Sequence, residues 1–167
     1  AVFRAAAHPA MHPGRCASIW LDGREVGVIG ELHPRLQQKI ELPFAPVLFE
    51  IEASALQERD LPVHKEISKF PAVVRDLSLV VKQTINVQSI IDTFVEKSKT
   101  DAACRFMQHI VLFDEYRGKG LESDEKSLAF RITLQDTQNT LHDEAVEAAM
   151  AVFISAVQKK HDAKLRA

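Results

Sequence analysis

VLFDEYRGKGLESDEKSLAFRITLQDTQNTLHDE, running from Val111 to Glu144, decides the fold. An apolar strand enters a charged aromatic turn, and SLAFRITL answers it with strict alternation, so an antiparallel hairpin is expected. Leu128, Phe130, Ile132 and Leu134 should face a core, with Ala129, Arg131 and Thr133 on the other side. Thr140 with Asp143 three residues on has nearly capping-box spacing, which predicts a last helix starting at Thr140. Its apolar stripe is Val146, Met150, Phe153, Ile154 and Val157. Residues two apart on a strand share a face, so Asp114 and Tyr116 project together. A carboxylate that only accepts hydrogen bonds, beside a ring that can stack, suits an unpaired nucleobase. RNA recognition is therefore favoured over catalysis.

Working outward, Arg75–Val81 alternates Leu77, Leu79 and Val81 inward against Asp76, Ser78 and Val80 outward. Asn86 is a plausible N-cap for VQSIIDTFVEK, which carries Val87, Ile90, Ile91, Phe94 and Val95 on one stripe. Arg105–Tyr116 reads as a long apolar strand with Ser127–Gln135 as its partner, and a short strand near Lys164–Arg166 completes the set. The order β-α-β-β-α-β is the ferredoxin-like split arrangement, an α+β antiparallel sheet with both helices on one face. The other face is left open, and Asp76, Ser78, Arg131 and Thr133 point to it with Asp114 and Tyr116. Ser78 is small enough to leave room for a flat base. Arg117, Lys119, Lys126 and Arg131 flank the hairpin as candidate phosphate contacts, which position RNA without reading it. Lys69 and Phe70 precede Pro71 in a loop and could touch the same ligand, but a purely structural role is favoured for them.

The upstream half is patterned differently. CASIWLDGREVGVIGEL reads as a hairpin, Cys16–Leu21 and Glu25–Ile29, turned by Asp22 and Gly23. His33 and Pro34 open a short helix, Pro34 to Lys39. VLFEIEASAL alternates Val47, Phe49 and Ile51 against Leu48, Glu50 and Glu52, a third strand with one wet face. QERDLPVHKE, with Pro62 and no apolar period, separates the halves. The expected division is 1–56, a linker over 57–68, and a module over 69–167. Three strands and a helix are a small core, so the first segment is expected to complete a sheet begun elsewhere. The chain starts without Met and with no helix or strand signal, which is read as a fragment of a longer polypeptide.

Composition sets limits. The 167 residues carry a net charge of −2, and from Lys69 onward basic and acidic side chains balance at 14 each, unlike a general nucleic-acid coat. Any RNA contact must be local. No apolar run approaches the roughly 20 residues of a membrane span. Cys16 and Cys104 form no C-x-x-C pair, and two free thiols without a signal core suggest a reducing cytoplasm. His8 and His12 are four apart, but Pro9 and Pro13 disfavour the helix that zinc ligation would need. No catalytic residue and no metal ligand is expected. Two other functions share the topology, a small-molecule-binding regulatory domain and an acylphosphatase-like hydrolase. Both want a glycine-rich or phosphate-cradling loop after the first strand, and that loop reads KQTIN, Lys82 to Asn86.

KFPAVVRDLSLVV at Lys69–Val81, FDEYRGKG at Phe113–Gly120, KSLAFRITLQ at Lys126–Gln135 and TLHDEAV at Thr140–Val146 resemble one module in that order. It is the ferredoxin-fold anticodon-binding domain that closes the β subunit of bacterial phenylalanyl-tRNA synthetases. HPGRCA, EVGVIGELHP and LFEIEASAL are similar to the end of that subunit's catalytic-like domain, a partial class II synthetase-like α/β segment. The resemblance implies a non-catalytic part of an (αβ)2 ligase that charges tRNA(Phe) with phenylalanine. ATP and magnesium would be used on the partner α subunit, with no cofactor in this chain. It implies that Asp114 and Tyr116 meet the first anticodon base, a guanine, in the anticodon stem-loop.

Overall fold

The computed structural model describes residues 1–57 and 68–166. The linker expected over 57–68 lies outside the described residues except for Gln57 and Ser68. The chain divides into two compact units between residues 63 and 64.

The first unit is an antiparallel sheet in the order β1-β2-β3-β4, made of β1 (Val2–Ala5), β2 (Met11–Leu21), β3 (Arg24–Leu32) and β4 (Val47–Ile51). The expected hairpin forms, and Asp22 and Gly23 hold φ of 48° and 81°, the left-handed pair that a tight two-residue turn demands. The helix α1 (Pro34–Lys39) also forms, and the His33 ring accepts the Arg35 amide at its start. A short α2 (Ala53–Gln57) follows β4. β1 was not expected. Four residues with one half-buried side chain show no period of their own, and pairing with Ala17–Trp20 of β2 is what makes them a strand. β4 also departs from expectation. Both of its faces are wet, with Val47 and Phe49 at 67% and 69% exposure and Leu48 exposed on the other side. Met11, Ile19, Val26 and Leu32 form the small buried set of this unit. β3 approaches β4 so closely that a Cβ on Gly27 would collide with the Glu50 carbonyl oxygen.

The second unit runs β5 (Val73–Lys82), α3 (Val87–Thr100), a single 3-10 turn at Ala102–Cys104, β6 (Met107–Tyr116), β7 (Glu125–Leu134), α4 (Asp143–His161) and β8 (Lys164–Leu165). The sheet order is β6-β7-β5-β8, antiparallel throughout, so the ferredoxin-like fold is present. β5 and β7 pair without a break from Val73 opposite Leu134 to Lys82 opposite Glu125. Leu77, Leu79 and Val81 of β5 and Leu128, Phe130 and Ile132 of β7 all enter one buried cluster. Ile90 and Phe94 of α3 and Val146, Phe153 and Val157 of α4 enter the same cluster, so both helices cover one face. Phe94 lies at its centre, 5.1 Å from Phe153 and 5.9 Å from Phe130 between ring centroids. Asn86 caps α3 as expected, its side chain accepting the Gln88 amide.

The last helix begins at Asp143, three residues after the expected Thr140, and its cap residue His142 makes no side-chain cap bond. A hydrophobic staple replaces the capping box. Leu141, just before the cap, and Val146, on the first full turn, both pack in the core. Asp143 and Glu144 then face the positive end of the helix dipole.

At the other end of α4, His161 Nε2 lies 2.8 Å from Thr93 Oγ1. The Thr93 hydroxyl already donates to the Ser89 carbonyl, so the ring must donate to Thr93. Burial, with the Lys160 charge adding, holds His161 below its ordinary 6.5, against a hydrogen bond at Ser89. Below that ordinary value the unfolded chain binds a proton that the folded state refuses, so stability falls with acid. The melting temperature should therefore drop as pH goes from about 7 toward about 5, and His161→Gln should flatten that drop. Identical slopes in the two proteins would show that another group governs it. Burial also pushes the Cys104 thiol up to about 11, with Asp101 adding and Lys97 opposing, which leaves it unreactive. No helix among the described residues is long and apolar enough to cross a membrane.

Candidate nucleic-acid interface

The helix-free face of the second sheet carries the expected site, and two irregularities in β6 put it there. β6 pairs evenly with β7 except at Gln108 and at Phe113, where one extra residue is inserted. Leu112 lies opposite Phe130 and points to the helices, so unbroken alternation would turn Asp114 and Tyr116 to the helix side as well. The extra residue at Phe113 reverses the sense. Asp114 now lies opposite Ala129 and Tyr116 opposite Ser127, both on the open face. The two candidates do share a face, as their spacing implied, but the bulge chooses which one.

Two rows of side chains cross this face. One reads Asp114, Ala129, Ser78, Arg166, the last placed by its amide donating to the Ser78 carbonyl at 3.0 Å. The next reads Tyr116, Ser127, Val80, Lys164. Ser78 and Ala129 make a low floor between Asp114 on one edge strand and the Arg166 backbone on the other. Asp114 is exposed, and no side-chain bond among the described residues engages it. Arg166 reaches back so that its guanidinium carbon lies 4.8 Å from the Tyr116 ring centroid. Tyr116 and Arg166 come from opposite edges and meet, which explains why Ser127 and Val80 are only 5% and 8% exposed on a face without helices. Val80 points outward as expected, yet it is covered.

The turn fixes the ring from its other end. The Tyr116 hydroxyl donates to the Lys119 carbonyl at 3.3 Å. Gly118 packs so near that a Cβ there would lie 2.6 Å from the Tyr116 oxygen. Tyr116 is thus a positioned ring, not a loose surface side chain.

The basic candidates separate. Arg131 is on the open face but committed, bonding Asp76 at 2.8 and 2.7 Å and lying 5.0 Å from the Phe113 ring centroid. That pairing holds the Asp76 carboxyl below its usual range. Arg117 is ion-paired to Glu115 at 2.6 Å. Lys119 is exposed on the turn, with no ion pair among the described residues. Lys126 lies opposite Val81, on the helix side, 6% exposed, and burial lowers its ammonium below the ordinary value. The structure therefore brings Asp114, Tyr116 and Ser78 together and leaves Lys126 apart. Arg166 was not among the sequence candidates. Register alone identifies it, since β8 pairs Leu165 with Leu79 and the next residue must fall beside Ser78.

One end of the open face is closed by carboxylates. Lys82 meets Asp124 at 2.9 Å and Glu122 at 3.4 Å, while Lys164 meets Glu125 at 3.0 Å. Lys82 holds Asp124 below its ordinary value, and Lys164 does the same to Glu125. The three carboxylates take up both ammonium groups, so neither Lys82 nor Lys164 is left over for phosphate. The loop after β5 offers no cradle either. The Gln83 amide donates to the Asp124 carbonyl, and Asn86 is spent on its cap. His8 and His12, with His33, each accept a nearby backbone amide through Nδ1. Among the described residues no three His, Cys, Asp or Glu side chains converge as metal ligands.

Residues 68–166 match the family described as the ferredoxin-fold anticodon binding domain, and residues 1–53 match the phenylalanyl tRNA synthetase beta chain CLM domain. Among curated relatives, the phenylalanine–tRNA ligase beta subunit of Burkholderia pseudomallei (strain 1710b) is 52% identical over 169 residues, covering 98% of this chain and 21% of that protein. Its counterpart in Cupriavidus pinatubonensis is 51% identical over 168 residues, at 98% and 21% coverage. That of Dechloromonas aromatica is 47% identical over 165 residues, at 99% and 20%. The chain spans about a fifth of the length of these relatives.

Proposed function

Because this chain belongs to the ferredoxin-fold anticodon-binding domain family, we propose that its second unit reads the anticodon of tRNA(Phe) for a cytoplasmic phenylalanine–tRNA ligase. The row Asp114, Ala129, Ser78, Arg166 beside the Tyr116 ring is the observation that carries this reading. A guanine offers N1–H and N2–H2 donors on one edge and O6 and N7 acceptors on another. Asp114 can only accept and Arg166, folded back to the Tyr116 ring, can only donate, so the two together complement those edges. Tyr116 supplies a stacking surface, worth roughly 1–3 kcal/mol per base. Ser78 and Ala129 keep the floor low. Arg117 and Lys119 lie on the adjoining turn and serve as phosphate contacts, while Arg131 acts from its pair with Asp76. Lys126 contributes through the packing of the strand.

The chemistry of charging belongs elsewhere in the ligase, with ATP and magnesium on the partner α subunit of an (αβ)2 assembly. This chain holds the tRNA and performs no bond-breaking step. Residues 1–57 we assign to the end of the catalytic-like domain, and the module beginning near 69 to recognition.

Asp114→Asn tests the reading, because the amide keeps the shape and adds a donor where the guanine also donates. In the complete ligase it should raise KM for tRNA(Phe) about tenfold, the cost of one mismatched edge contact. ATP–pyrophosphate exchange, which needs no tRNA, should be unchanged. A wild-type KM for tRNA in Asp114→Asn would remove the basis of the assignment.

A further inference from the structure

We infer that Phe113 is a second stacking platform, taking the nucleobase next to the one that Asp114 and Tyr116 hold; this rests on the function proposed above. The inserted residue of the bulge is Phe113 itself, and it remains 50% exposed on the open face, outside the core cluster. The core does not require an aromatic ring at this interrupted point of the strand.

Its surroundings are built for stacking. Arg131 presents its guanidinium to the ring with 5.0 Å from its carbon to the ring centroid, and Asp76 fixes that guanidinium with two parallel bonds of 2.8 and 2.7 Å. A cation held against one face of a ring stiffens it, and the half of Phe113 left in water can receive a flat partner. Phe113 has no polar atom, so this platform would accept any base, as aromatic platforms for single strands do.

Direction supports the same assignment. Phe113 adjoins Asp114 in sequence, so the two positions are one step apart along the same edge strand. The opposite end of the face is lined by Glu122, Asp124 and Glu125, which hold Lys82 and Lys164 in ion pairs and offer a further base no ring. An RNA strand anchored at Tyr116 therefore continues toward Phe113. Four-stranded sheets that bind RNA through their open face commonly stack two or three bases on successive rings.

The test uses the complete ligase with Phe113→Leu, which preserves apolar cover over the Arg131–Asp76 pair and removes the stacking surface. Charging is measured on tRNA(Phe) transcripts in which each anticodon nucleotide in turn is made abasic. Phe113→Leu should lower kcat/KM about tenfold through KM, the loss of one base stack. That penalty should vanish on the transcript lacking one particular base, a neighbour of the base whose removal cancels the Asp114→Asn penalty. Wild-type charging by Phe113→Leu would overturn the proposal. So would a penalty that persists on every abasic transcript, which would mark Phe113 as a protein-docking residue. If Asp114→Asn were silent as well, the anticodon reading itself would fall, so the two failures are distinguishable.

Discussion

Phe94→Ala is expected to lower the unfolding free energy of the second unit by about 3–5 kcal/mol, the usual cost of emptying a buried phenylalanine site. Phe94 is 0% exposed, and its ring meets Phe153 at 5.1 Å and Phe130 at 5.9 Å, so it ties both helices to the sheet at one point. A domain of this size has only about 5–15 kcal/mol to lose. The melting temperature should drop by roughly 15 °C or more, read by far-UV circular dichroism. Phe94→Leu should cost distinctly less, since it leaves a smaller cavity. A loss below about 1 kcal/mol for the alanine variant would place the core elsewhere.

Tyr116→Ala should have the largest effect on recognition. It removes the stacking surface, the hydroxyl bond to the Lys119 carbonyl and the partner of the Arg166 guanidinium in one step. The stack alone is worth about 1–3 kcal/mol, so kcat/KM for tRNA in the complete ligase should fall about 5- to 150-fold, carried by KM. Tyr116→Phe keeps the ring and gives up one exposed hydrogen bond, so most of the affinity should survive. Wild-type charging by Tyr116→Ala would contradict the proposed role, whatever Asp114 does.

Much of this was legible in the residues. β5 and β7 are central strands with one face on the core, so leucine, phenylalanine and isoleucine at every second position announce both strand and face. Asn86 ahead of a 3.6-period stripe announces α3. Local chemistry could not say where α4 begins, because the choice between Thr140 and Asp143 depended on Leu141 finding the core. β1 was unreadable for a related reason, since it exists only through its pairing with β2. At the site, the partnership of Asp114 and Tyr116 followed from spacing, but their side of the sheet depended on the interruption at Phe113. Arg166 carried no motif. Only the register of a two-residue strand reveals that it stands beside Ser78.

The inserted residue in β6 makes the length of this edge matter as well as its chemistry. Removing one residue between Leu112 and Asp114 would restore perfect alternation and send the acid and the phenol beneath the sheet, among the helices. The remaining strand would look more regular and would present none of the proposed base contacts on its open face.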